Sequence, residues 1–133
     1  MHFIDNKALG QLVLRLAVGG LVLFHGVSKV AHPGALEFIQ RQLTGANLPE
    51  MLSYGVYVGE VIGPLLILLG VFSRVGGLLV AINMLFALYL VHLGQIFALS
   101  DQGGWAIELQ VSYLLGGVAI LFLGSGRLAM RPD

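Results

Sequence analysis

The chain contains no cysteine in its 133 residues and little charge, with Asp, Glu, Lys and Arg making up 11%. The missing thiol excludes disulfides, thiolate redox chemistry and iron–sulfur ligation together. A quinone-coupled disulfide generator, a natural expectation for a small apolar protein, is therefore ruled out. Soluble domains carry about a quarter charged residues, so less than half that share cannot cover a folded surface in water. Neither sign of charge predominates, because seven Lys and Arg offset seven Asp and Glu. Without a basic excess the chain has no electrostatic footprint for nucleic acid. What is abundant is apolar, 57% of the residues, and this composition places the chain in a lipid bilayer.

Four apolar runs approach the roughly 20 residues needed to cross a membrane: Leu9–Lys29, Leu52–Phe72, Val75–Ala98 and Trp105–Leu123. The expected fold class is all-α, an integral membrane antiparallel four-helix bundle forming a single domain over residues 1–133. The first run is too long for a signal-peptide core, starts beside Asp5 and Lys7, and is followed by no small-residue cleavage site. Between the first two spans, Leu36, Ile39 and Leu43 recur at helical spacing with Glu37, Gln40, Arg41 and Gln42 among them. This pattern predicts a short amphipathic helix lying in the interface, ended by Gly45-Ala46-Asn47. Only a tight hairpin fits at Ser73-Arg74. Lys7, Arg74, Arg127 and Arg131 fall on one side of the membrane. Lys29 and Arg41, with Glu37, Glu50 and Asp101, fall on the other. The basic bias predicts cytoplasmic termini in an inner membrane.

An ionisable residue at the centre of a span costs roughly 2.5–3.5 kcal/mol, so the few present mark places of interest. Arg15, His25, Glu60, Asn83, His92, Glu108 and Gln110 lie within the runs, and Lys29 lies at an edge. From the helical rise, Arg15 falls roughly 6 Å to the cytoplasmic side of the mid-plane and Glu60 about 3 Å to the outer side. His25, His92 and Glu108 fall about 9–11 Å to the outer side, with Lys29 beyond them. Arg15 and Glu60 are expected to form a structural ion pair, since intramembrane charges usually pair. His25, Lys29, Glu60, His92 and Glu108 are expected to line an outer-half pocket for a small polar-headed ligand. Asn83 and His92 are separated by about 180° on an ideal helix, which turns Asn83 towards another contact, such as a second copy of the protein.

Plainer readings stand beside these. The Arg15–Glu60 pair would simply fix helix register, Lys29 would snorkel to the interface, and Gln110 and Ser112 would bond neighbouring helices. Axial haem ligation requires two histidines facing each other across the bundle, and the Glu-x-x-His pairs of di-iron bundles are absent. Haem is thus disfavoured, no metal site is expected, and no catalytic residue is assigned. Phosphate-loop and serine-nucleophile motifs are also lacking.

Arg15-Leu16-Ala17-Val18-Gly19, then Phe24-His25-Gly26 with Lys29, Leu48-Pro49, Gly59-Glu60, Leu69-Gly70 with Arg74, and Glu108 with Gly124-Ser125-Gly126 together resemble the DoxX family of small four-span membrane proteins. The resemblance runs from about Leu14 to the C-terminus. It falls on Arg15, His25, Gly26, Lys29, Glu60, Arg74 and Glu108. The family is named for a small subunit of a thiosulfate–quinone oxidoreductase. The resemblance therefore implies a quinone-linked redox or accessory role within a membrane oxidoreductase complex rather than a stand-alone enzyme. Quinone is the cofactor it implies, and a membrane or redox subunit, or a homo-oligomer, is the partner. Lack of cysteine speaks against a sulfane intermediate handled by this chain alone. In such a setting His25 or His92 would exchange protons and Lys29 would hydrogen-bond a carbonyl. The alternatives are a non-catalytic assembly subunit and a small-solute transporter.

Overall fold

The computed structural model describes residues 5–133. Among them there is no β-strand, only helices, turns and two isolated bridges. Helix α1 spans Lys7–Ala31, and the Asn6 side-chain oxygen accepts from the Leu9 N–H at 3.0 Å, satisfying one free amide of the first turn. His32 is extended and stops α1. Pro33 then opens α2 (Pro33–Gly45), where its missing N–H costs no hydrogen bond. Helix α2 ends at Gly45, with Asn47 at a φ of 60° just beyond, so the predicted stop signal works as read.

Helix α3 (Glu50–Leu69) is not uniform. It opens with a 3-10 turn over Glu50–Tyr54, passes through one α turn, widens into a π turn over Val58–Ile62, and closes as α-helix over Gly63–Leu69. Pro64 gives a reason for the π turn. Its ring offers no N–H and would clash with the carbonyl four residues back, which is that of Glu60. The wider turn relieves the clash. Gly70, at a φ of 72°, ends α3, and the N–H groups of Gly70 and Val71 both reach the Leu66 carbonyl. Residues 70–72 make the tight hairpin into α4 (Ser73–Leu90).

Helices α1, α3 and α4 are long and apolar enough to cross a membrane. Helix α5 (Glu108–Leu123) is apolar but only 16 residues long. Helices α4 and α5 meet backbone to backbone: a Cβ on Gly117 would lie 2.7 Å from the Gly77 carbonyl oxygen. Small residues permit such an approach, the usual basis of helix association in lipid. Val18, Val22, Ile67, Val80, Met84, Tyr113 and Ile120 fill the core between α1, α3, α4 and α5.

Two span boundaries differ from the sequence reading. The third run stops being helical at Leu90, not Ala98, and α5 begins at Glu108 rather than Trp105. After Val91 the chain enters a 3-10 turn over Leu93–Gln95, in which residues three apart eclipse. This brings Gln95 Oε1 to 2.7 Å from His92 Nδ1. The apolar residues that follow are used in a folded loop, where the Trp105 indole N–H donates to the Ile96 carbonyl at 2.6 Å. Phe97 is fully exposed there, so its hydrophobicity misled the span assignment.

The expected Arg15–Glu60 pair does not form. Arg15 is buried at the far end of α3, where Nε donates to the Ile67 carbonyl at 2.8 Å and Nη2 to that of Leu68 at 3.1 Å. Its Nη1 donates to the carbonyls of Leu128 at 2.6 Å and Ser125 at 3.2 Å. The physical reason is the antiparallel register. Gly26 of α1 lies against Glu60, and Arg15 sits eleven residues earlier, or about 16 Å along the axis. There it meets the last-turn carbonyls that every helix leaves unpaired, the negative end of the helix dipole. Arg74 does the same for α5, donating to Leu121 and Phe122 at 2.9 and 2.8 Å. Residues 124–133 fold back across this end, with the Met130 and Arg131 N–H groups bonded to Leu69 and Gly70.

Candidate functional site

Glu60 is 3% exposed on the π turn of α3. A carboxylate at that depth must be paired or it pays a large desolvation cost. Both oxygens are held by neighbouring helices. Lys29 Nζ of α1 lies 2.5 Å from Oε1, and Asn83 Nδ2 of α4 donates to Oε2 at 2.8 Å.

Glycine on each side makes this approach possible. A Cβ on Gly26 would overlap the Glu60 carbonyl oxygen, and one on Gly59 would overlap the Asn83 side chain. Lys29 follows Gly26 by three residues and so shares its face. The contact of Gly26 with the Glu60 backbone thereby delivers the ammonium to the carboxylate.

His92 stands beside this pair. Its Nε2 is 3.3 Å from Gln110 Nε2 of α5, and an amide nitrogen only donates. Nε2 is therefore the acceptor, and Nδ1 carries the proton that is donated to Gln95 Oε1. The His25 ring meets Tyr113 edge to face, with centroids 5.7 Å apart.

Cavities adjoin these groups. One of about 310 Å³ is walled by Lys29, Glu60, Asn83 and His92 at a polar end and by apolar residues of α2, α3 and α4 elsewhere, Phe38 and Phe86 among them. A second, of about 280 Å³, is lined almost wholly by apolar side chains and shares Ile39, Val56, Asn83, Phe86 and Leu90 with the first. The two are neighbours, one with a polar end and the other almost wholly apolar.

Of the expected site residues, His25, Lys29, Glu60 and His92 are brought together. Glu108 is not. It is the first residue of α5, exposed, with its carboxylate beside Gly104. Because the helix starts three residues later than expected, Glu108 stands at its entrance, where a negative charge complements the dipole. Asn83 was assigned elsewhere on the premise that one helix runs through His92; the helix ends at Leu90, and both residues wall the same cavity. Tyr113 was missed, although it lies three residues after Gln110 and so on the same face. Among the described residues, no group of three or more His, Asp or Glu is placed to hold a metal ion.

Three helices long and apolar enough to cross a membrane, two of them joined by a part-buried ion pair, define a multi-pass membrane protein. The family model for DoxX matches residues 10–93, and the chain belongs to that family. A Haemophilus influenzae relative described as "Uncharacterized protein" is 31% identical over 124 residues, covering 88% of this chain and 84% of its own. A Bacillus subtilis relative named "Putative oxidoreductase CatD" is 29% identical over 130 residues, covering 96% and 90%. No solved structure matches.

Proposed function

We propose that the protein is a quinone-linked subunit of a membrane oxidoreductase complex, binding the polar head of a lipid-soluble ligand at Lys29 and Glu60. The observation that carries this reading is the pair of neighbouring cavities with a common wall, one polar at one end and the other apolar. A quinone has the same division between carbonyl head and hydrocarbon tail. Lys29 has two further N–H groups with which to meet a head-group carbonyl, and Glu60 accepts from a hydroxyl once the head is reduced. Asn83 fixes the carboxylate so that it faces the ligand in one orientation. The name of the Bacillus subtilis relative supports the redox assignment.

In this reading α5 crosses the membrane as a fourth span despite its length, α2 lies in the interface as the lid of the cavity, and both termini are cytoplasmic. Arg74, Arg127 and Arg131 then sit on the cytoplasmic side, as the basic bias requires. The test is the lipid extract of the purified protein together with the activity of the host complex. Quinone is expected in the extract, and Glu60→Gln and His92→Ala are expected to abolish activity per assembled complex, beyond any fall in abundance. An extract without quinone, combined with variants that lower only abundance, would favour a purely structural subunit.

A further inference from the structure

The Lys29–Glu60 pair lines more than one cavity. Beside the ligand cavity is a smaller one of about 90 Å³, which shares Lys29, Glu60, Ala87 and His92 with it and adds His25, Gln110 and Tyr113. Apolar cavities stay dry, whereas polar ones of this size hold water when several groups are present to bond it. Six of the nine residues lining this one end in polar or titratable groups. One of them points to an occupant: Gln110 Oε1 is buried and has no hydrogen-bond partner in the protein. A buried amide oxygen left without a partner is costly, and water in the cavity removes that cost.

We infer that this small cavity is a hydrated proton-exchange compartment, in which water joins the Glu60 carboxyl to the His92 imidazole and Gln110 adjusts to the proton that His92 carries. The inference rests on the ligand reading for the source of the proton but not for the path. The ligand O–H bond breaks as an O–H bond forms on Glu60; that proton then passes to water, and a water proton forms the N–H bond at His92 Nε2, restoring the carboxylate. As described, Nε2 accepts from the Gln110 amide, so a protonated Nε2 would face a second donor. Rotation of the Gln110 amide by half a turn replaces that donor with the unpartnered Oε1. His92 returns to neutrality when its Nδ1–H bond breaks and that proton passes to solvent water beside the exposed Gln95, whose amide oxygen only accepts the hydrogen bond. The charged and titratable groups facing His92 are His25 and Lys29 from α1, Glu60 from α3 and Tyr113 from α5.

The test uses the full chain in lipid nanodiscs, labelled with ¹⁵N-histidine, without added quinone. NMR is expected to show the Nδ1–H form of His92 and magnetisation transfer from water to its ring that is reduced in Glu60→Gln. Gln110→Leu is expected to remove the water transfer, and Gln110→Glu to restore it. Absence of water transfer in the unsubstituted protein, or transfer that Gln110→Leu leaves unchanged, would overturn the inference. A separate binding measurement with a short-chain quinone distinguishes the two readings. Binding beside a dry cavity leaves the ligand reading standing alone, whereas a wet, coupled cavity without binding sustains the path and removes the ligand.

Discussion

At the scale of single residues, the site depends on charges held where an unpaired one is not tolerated. Removing one member of a buried pair costs about 3–5 kcal/mol, while replacing both members with apolar residues costs far less. Glu60→Leu alone is therefore expected to lower stability by about that amount, and the double variant Lys29→Met/Glu60→Leu to recover much of it. Denaturant unfolding in a common detergent checks this as a thermodynamic cycle; equal losses in single and double variants would contradict the pairing. The glycines give a second contrast. Gly26→Ala forces α1 away from the Glu60 carbonyl, an overpacking worth roughly 1–3 kcal/mol or more. Gly20→Ala meets no atom within 4 Å and is expected to be neutral or slightly stabilising through helix propensity. Thermal midpoints of the two variants separate packing from propensity.

Among the elements, the helix ends explain what the sequence alone concealed. The apolar runs announced α1, α3, α4 and α5, and the 3.6-residue spacing of Leu36, Ile39 and Leu43 announced α2. The composition did not announce where α4 ends, because Leu93, Phe97 and Leu99 are as apolar in a loop as in a span. From that single boundary came the separation of Asn83 from His92, and from the late start of α5 came the inclusion of Glu108. Arg15 was legible as a costly residue, but its partners are backbone carbonyls, which carry no sequence signature. Its role in joining α3 to residues 124–133 is open to test. Lys presents a point charge and cannot spread five N–H groups over four carbonyls. Arg15→Lys is expected to loosen that segment, so that limited proteolysis cuts within 124–133 faster than in the unsubstituted protein; an unchanged rate would show that the tail is held by other contacts.

For the whole molecule, polar capping and the cavities are separated along the helices. One end is closed by Arg15, Arg74 and the folded-back tail, while the cavities lie at the level of Glu60 and beyond, bounded by α2 and the loop after α4. This polarity gives a multi-pass protein one closed end and one end that contains the cavities to which the proposed ligand is assigned. In the proposed reading, the net neutrality of the Lys29–Glu60 pair suits a neutral head group, whose entry would bury no further charge. Photolabelling with an azido-quinone in nanodiscs, followed by peptide mapping, tests that central claim most directly. The expected result is saturable labelling of residues that wall the cavities, such as Ile39, Val56 and Phe86, competed away by unlabelled quinone and lost in Lys29→Met/Glu60→Leu. Labelling spread over the lipid-facing surfaces of all the helices, without saturation and unchanged in the double variant, would contradict it.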